Sequence, residues 1–177
     1  QLKPKASALE LLRLEMLSSC EKYTRAMFNS QYKRSFVVED LHRTIFRTLE
    51  QIIDGKLTRV IFNLPPRYGK TEIVIKSFIS WGFALNAACR FLHLSYSDML
   101  VNDNSTTIRN MMSDTLYKQL FPGTRLEKER GASNYWKTSA GGEFYAVSTQ
   151  GQVTGFGAGK VDDIENDDDD NSFFNFD

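Results

Sequence analysis

The chain has 177 residues, 41% of them hydrophobic and 25% charged, and its 22 basic side chains offset 22 acidic ones. The neutrality is uneven: residues 161–177 hold eight acidic and no basic side chains, which leaves the first 160 residues at +8. The longer part has the apolar content of one domain with a core, which excludes a low-aromatic, highly charged disordered chain. The acidic end does not read as core.

Two cysteines, Cys20 and Cys89, are too few for a disulfide framework and too far apart for a C-x-x-C redox or zinc site. Residues 1–5 have no apolar signal-peptide core, and no window approaches the roughly 18 apolar residues of a membrane span. The expectation is a soluble protein of a reducing, intracellular compartment.

From Ser7, the residues Leu9, Leu12, Met16, Cys20, Tyr23 and Met27 recur at helical steps, and Ser7 with Glu10 forms the S-x-x-E capping pattern. This predicts one amphipathic helix, followed by a polar turn over Asn29–Ser35. Leu41, Ile45, Leu49 and Ile52 predict a second helix that stops at Gly55. Arg59–Leu64 is a short apolar run rich in β-branched and aromatic residues, which predicts a strand buried on both faces of a parallel sheet. After Pro65 and Pro66, a helix is expected over Glu72–Leu85, a buried strand over Arg90–Leu94, and a capping turn at Ser95–Asp98 into a helix reaching about Met112. That order implies a right-handed βαβ unit. Pro122-Gly123 reads as a turn. Asn134–Thr138 and Glu143–Val147, parted by Gly141-Gly142, read as a hairpin or two neighbouring strands, and Gly151, Gly155, Gly157 and Gly159 as a loop.

Leu64-Pro-Pro-Arg-Tyr-Gly-Lys-Thr71 lies between the expected strand and helix. The N–H groups of such a loop, with the positive end of the helix it opens, form a cradle for phosphate oxygens. Lys70 supplies a compact cation for the β- and γ-phosphates, and the Thr71 hydroxyl suits a partly hydrated Mg²⁺. Leu64 stands where the phosphate-loop pattern G-x-x-x-x-G-K-[ST] has its first glycine. The competing reading is an ordinary strand-to-helix turn with a solvated first-turn lysine.

Pro65-Pro-Arg-Tyr-Gly-Lys-Thr-Glu72 resembles the deviant phosphate loop of the large terminase subunits of tailed double-stranded DNA bacteriophages. Phe36–Gly55, with His42 early in a helix, resembles the family's segment before that loop, and Leu94–Asp98 its second strand and turn. Gly141–Ser148 through Thr154-Gly-Phe-Gly157 resembles the strand and T-G-x-G loop ahead of its Walker B strand. The resemblance runs in order over about residues 36–160. It implies a RecA-like P-loop NTPase, an α/β fold with a parallel sheet flanked by helices. Here that fold is incomplete, with a helical segment over 1–56, the first part of the ATPase core over 57–160, and an acidic loop or end over 161–177.

The activity so implied is ATP hydrolysis coupled to translocation of viral double-stranded DNA into a capsid, with a nuclease elsewhere in the whole protein. Pro66, Arg67, Tyr68, Gly69, Lys70, Thr71 and Glu72 become the nucleotide-binding residues, Arg67 and Lys70 the catalytic ones, and Thr71 the Mg²⁺ contact through its hydroxyl and a water. Arg67 would reach the γ-phosphate as an arginine finger does; the alternative pairs it with a carboxylate or with DNA. The implied partners are double-stranded DNA, the portal protein, the small terminase subunit and further copies in a ring, in the host cytoplasm and transiently at the capsid portal. A helicase-like ATPase, or a non-hydrolysing nucleotide- or DNA-binding assembly module, is the alternative.

Hydrolysis also needs carboxylates for Mg²⁺ and for the attacking water. Asp162-Asp163 follows no apolar strand, so the Walker B acids are expected beyond Asp177. Asp162–Asp170 reads as a solvated loop, since adjacent like charges repel and cannot be buried unpaired; a calcium loop is the alternative, but its spacing is missing. Phe173, Phe174 and Phe176 begin a strand or cover an apolar surface; the residues leave both open. Cys89 and His93 share a strand face but are two ligands at most, and core packing is the simpler reading. Trp81 reads as core. Tyr135 and Trp136 read as packing or base-stacking residues, and Lys33, Arg34, Arg43 and Arg47 as a mixed-charge surface or phosphate contacts.

Overall fold

A computed structural model describes residues 7–127 and 133–149 as a mixed α/β arrangement. Its helices are α1 (Ala8–Leu17), α2 (Cys20–Tyr32), α3 (Asp40–Ile53), α4 (Phe78–Leu85), α5 (Asp98–Ser113) and α6 (Thr115–Leu120). A π-helical segment, Thr71–Ser77, runs directly into α4. The strands are β1 (Arg90–Ser95), β2 (Tyr135–Lys137) and β3 (Glu143–Ser148). The expected glycine loop over Gly151–Gly159, the acidic run Asp162–Asp170 and the three C-terminal phenylalanines lie outside the described residues.

The expected first helix is two helices. Ser7 and Glu10 do form the capping box at its start, but Ser19 sits in extended geometry and its hydroxyl accepts the Lys22 N–H. A second N-cap in mid-run starts a new helix, because the serine side chain satisfies an amide that a continuous helix would have bonded to its own backbone. The break turns Leu9, Leu11 and Leu14 outward, while Met16, Cys20, Tyr23 and Met27 stay buried. The polar stretch after Met27 continues α2 to Tyr32, and Lys33 ends it in the left-handed conformation (φ 54°). α3 forms as expected, with Ile45, Leu49 and Ile52 buried.

The largest correction concerns Arg59–Leu64, which joins no strand ladder among the described residues. Val60, Phe62 and Leu64 pack on the core whereas Ile61 is 95% exposed, so the segment alternates like a strand with one covered face. The expected parallel pairing of this run with β1 is therefore not formed. Helix begins one residue earlier than expected after the loop, with a wider π geometry in which the Phe78 N–H reaches the Ile73 carbonyl.

The sheet is small and mixed, in the order β1-β3-β2. β1 and β3 are parallel in register Arg90 to Glu143 through Ser95 to Ser148, and β2 and β3 pair antiparallel, which selects the hairpin arrangement from the two alternatives. Gly142 permits the close approach there: a Cβ at this position would meet the backbone oxygens of Ala87 and Cys89. Phe91, Phe144 and Trp136 line the buried face, with Trp136 stacked on Phe144 at 4.8 Å and Phe83 of α4 against both Phe91 and Trp136. Burying each such ring contributes roughly 1.5–3 kcal/mol, so the aromatic cluster is the main fastener between α4 and the sheet.

Trp81 is core, as expected, and its Nε1–H donates to the Met16 carbonyl at 3.0 Å, which ties α4 to α1. α6 is an addition to the sequence reading; the Asp114 carboxylate caps it by accepting the Leu116 N–H, and Tyr117 and Leu120 pin it to the core. Among the described residues no helix is long and apolar enough to cross a membrane.

Candidate phosphate site

The loop from Pro65 to Lys70 is built from two preset and two unusual backbone conformations. The proline rings fix their own φ, and both Arg67 and Gly69 are left-handed, each with φ 70°. Gly69 takes that geometry without strain, while Arg67 carries a Cβ into it. Helix starts as soon as the loop ends: Lys70 is already helical, and the Ile73 N–H bonds back to the Gly69 carbonyl at 2.9 Å. The Thr71 and Glu72 amides thus stand at the head of the helix, where helical geometry supplies no carbonyl for them.

The loop separates two clefts. One, of about 340 Å³, holds Lys70 and Thr71 together with His93, Ser95 and Tyr96 from the end of β1 and Asn104 from α5. The other, of about 510 Å³, is walled by Arg67, Tyr68 and Gly69 with Phe28, Phe36 and His42. The expected binding residues are consequently split. Lys70 and Thr71 share a cleft, Arg67 and Tyr68 face the other, and Pro66 is exposed on the loop. Glu72 turns to Lys76, with Oε2 at 3.4 Å from Nζ, and beside Tyr32, whose hydroxyl pKa is raised by burial and by this carboxylate.

The aromatic cleft carries a cation. Arg34 lies 5.5 Å from the Phe28 ring centre and 5.9 Å from that of Tyr32, so it is seated on aromatic faces. Arg43 pairs with Asp40 at 2.6 Å, and Lys33 caps α2. Tyr135 is half-buried edge-to-face with Tyr145, and Trp136 is committed to packing.

The donors in the smaller cleft match a polyphosphate: the Lys70 ammonium, the hydroxyls of Thr71, Ser95 and Tyr96 and a helix head all favour oxygen anions. Mg²⁺ would find Thr71 Oγ1 there and take its remaining positions from phosphate and water, which suits an ion that keeps much of its hydration. No carboxylate stands among the described residues lining this cleft. Among the described residues there is also no group of three or more metal-ligating side chains.

Sequence reasoning placed His93 in the core and missed its partner. His93 is buried, and its ring lies 6.5 Å from that of Phe144 at 27°. Asn104 Nδ2 donates to its Nε2 at 3.2 Å. Asn104 falls in step with the buried Val101, Ile108 and Met111 on α5, so its helical phase is the signal that could have marked it. Cys89 is buried just ahead of β1. Comparison of the chain with protein-family models, curated sequences and solved structures finds no match.

Proposed function

We propose that the chain binds Mg·ATP through Lys70, Thr71 and the helix head they open, as part of a P-loop ATPase. The observation that carries this reading is the shared cleft of Lys70 and Thr71, placed between the loop and the carboxyl end of β1, where open α/β sheets bind ligands. Lys70 neutralises the β- and γ-phosphates, and Thr71 holds the metal. The aromatic cleft across the loop, with Phe28, Phe36 and Tyr68, offers a face for the adenine. Arg67 begins on that aromatic side, so a finger role requires its side chain to swing across the loop to the phosphates.

The larger function we infer is that of a viral DNA-packaging motor of the terminase large-subunit class, acting on double-stranded DNA with a portal protein, a small terminase subunit and further copies of itself. It is supported by the ordered resemblance of Phe36–Gly55, Pro65–Glu72, Leu94–Asp98 and Gly141–Gly157. The +8 charge of residues 1–160 suits a polyanionic partner. With no acid in the described lining of the cleft, the chain alone is expected to bind nucleotide and turn over little.

Equilibrium titration with a fluorescent ATP analogue and Mg²⁺ tests the first step. Binding by the wild-type chain and its loss in Lys70→Ala are expected; equal affinity in the two would overturn the site. For the motor, a longer form of the chain that includes the acid-bearing strand should hydrolyse ATP faster with double-stranded DNA. Binding without hydrolysis in the presence of DNA and portal would overturn the motor and leave an assembly module, and duplex unwinding would favour a helicase.

A further inference from the structure

The last turns of α5 and α6 and the loop that follows them wall a cleft of about 500 Å³, lined by Arg109, Lys118, Arg125 and Glu127 beside the apolar Phe121 and Leu126. It lies away from the nucleotide cleft. Leu126 bridges Thr138, whose hydroxyl donates to the Ala87 carbonyl ahead of β1, whereas Lys70 and Thr71 share their cleft with Ser95 at the carboxyl end of that strand. The cations sit on fixed supports. Lys118 is carried by α6, which Tyr117 and Leu120 pin to the core, and the Asp114 carboxylate one turn before it is committed to the Leu116 N–H and the Ser30 hydroxyl. The Arg125 carbonyl accepts the Ser139 N–H at 2.8 Å, its Nε–H donates to the Pro122 carbonyl at 3.1 Å, and the neighbouring Thr124 hydroxyl donates to the Phe83 carbonyl at 3.1 Å. Both side chains are exposed, and among the described residues neither the Lys118 ammonium nor the Arg125 Nη groups pair with a carboxylate.

We propose that this cleft is a docking surface for the phosphodiester backbone of double-stranded DNA, with Lys118 and Arg125 each taking a backbone phosphate. The assignment rests on the reading of double-stranded DNA as the chain's partner and adds to it the face that meets the duplex. Three cations against the carboxylate of Glu127 give the described lining a net charge of +2 (3 − 1), which favours a polyanion. With its Nε–H held to the turn, the Arg125 guanidinium presents two Nη groups, a fork that suits two oxygens of one phosphate, while Lys118 meets a phosphate as a point charge. Phe121, the aromatic ring of the described lining, is 2% exposed, so no face is offered there for stacking an unpaired base. Contacts of this kind position the backbone without reading sequence, and a duplex brings its phosphates with the bases already stacked on one another. Two of the cations that the sequence pattern singled out are engaged otherwise, Arg34 on the rings of Phe28 and Tyr32 and Arg43 on Asp40.

The test uses the whole chain and a short labelled duplex of mixed sequence, titrated by fluorescence anisotropy across a salt series. Affinity should fall with salt, and Lys118→Gln and Arg125→Gln should each lower the slope of log K against log salt by about 0.9, the loss of one neutralised phosphate. Arg125→Lys keeps the charge and removes the Nε–H bond to the turn, so it should keep the wild-type slope; a slope lowered there too would mean that Arg125 acts only through the turn and would overturn its phosphate contact. Lys22→Gln and Arg25→Gln remove cations that pair with Glu15 and Glu21, and they should leave the slope unchanged; an equal loss in these controls would mean that net charge alone is at work. If the wild type binds the duplex and the Lys118→Gln, Arg125→Gln double variant retains its slope, this face is not the docking surface and the DNA reading stands. Failure of the wild type to bind the duplex at low salt overturns both. Equal affinity for polyglutamate, read by competition, would assign the cleft to an acidic protein, and equal affinity for a single strand of the same length would remove the duplex; either overturns the inference. Should Arg125→Gln fold poorly, Lys118→Gln decides, because its exposed ammonium makes no hydrogen bond among the described residues.

Discussion

His42 fastens the Pro65–Lys70 loop to α3: its Nε2–H donates to the Tyr68 carbonyl at 3.3 Å, while its Nδ1 accepts the Glu39 N–H at 3.0 Å. The two bonds demand one neutral tautomer, and together they join a loop carbonyl to the capping residue of a helix. Phe36 packs edge-on against the same ring at 5.4 Å and would touch any Cβ added at Gly69. Loop geometry is thereby set by the helical segment that precedes it.

Replacing His42 by Phe keeps the ring volume and removes both hydrogen bonds. The expected cost is about 2 kcal/mol of stability, since a capping amide and a loop carbonyl lose their partners. The loosened loop should also bind Mg·ATP about fivefold more weakly, because ordering it then falls on the ligand. Urea unfolding and nucleotide titration of the one variant read both effects. A stability loss with wild-type affinity would mean that His42 supports α3 alone.

Arg67 pays for its position with a left-handed backbone that costs a residue with a Cβ about 1–3 kcal/mol. Arg67→Gly relieves that cost and gives back part of it through a freer unfolded chain, for a net gain of about 1 kcal/mol. In a form of the protein that carries the catalytic acids, the same change and Arg67→Lys should each lower kcat at least about tenfold if the guanidinium acts on the γ-phosphate. An Arg67→Lys protein with unaltered kcat would remove the finger role and leave the strain without a catalytic reason.

Glu143 lies between two cations across the sheet. Oε2 takes Arg90 Nη2 at 2.7 Å and Oε1 takes Lys137 Nζ at 2.7 Å, in the register that sets Arg90 and Lys137 on either side of it. Burial pushes its carboxyl pKa up, and the hydrogen bonds from Lys137 and Arg90 outweigh that push and hold it below the ordinary value. A depressed pKa means that the folded state gains from the ionised form, so this stability is present above about pH 4.5 and is lost as pH falls through the folded-state pKa. Glu143→Gln should cost about 1–2 kcal/mol at pH 7 and flatten the acid limb of a stability profile. An acid limb identical to the wild type would show that the triad is solvent-screened.

The loop before the helix was legible because its backbone signals are local: Pro65, Pro66 and Gly69 fall within five residues, and helix follows Gly69 directly. The strand at Arg59–Leu64 was misread because a strand is defined by a partner, and pairing is not encoded in the run itself. Alternation was there to be seen, since Val60, Phe62 and Leu64 face the core and Ile61 does not. The break at Ser19 was also written locally, as a capping residue inside a helical period, but the period dominated the reading. α6 is six residues long, too short for periodicity to declare it. The split of the loop residues between two clefts and the bond of His93 to Asn104 depend on contacts made by α2, α3 and α5 and have no signature in the loop sequence.

Neutral burial of His93 has a measurable cost in acid. Its pKa is near 6.5 in an unfolded chain and about 4 in the fold, with desolvation the cause. Between those values the unfolded chain binds a proton that the folded chain refuses, so stability falls as pH drops from about 6.5 to about 4 and changes no further below that. The groups in contact with the ring, Asn104 and Phe144, are uncharged and do not offset the effect. From pH 7 to pH 4.5 the wild type should lose about 2 kcal/mol more than His93→Phe, the linkage value of that displacement. Urea midpoints of the two proteins at both pH values measure the difference directly, and the variant's own decline subtracts what the rest of the chain contributes. Parallel declines would mean that His93 is protonated in the fold at pH 4.5, with Asn104 turned to accept from it.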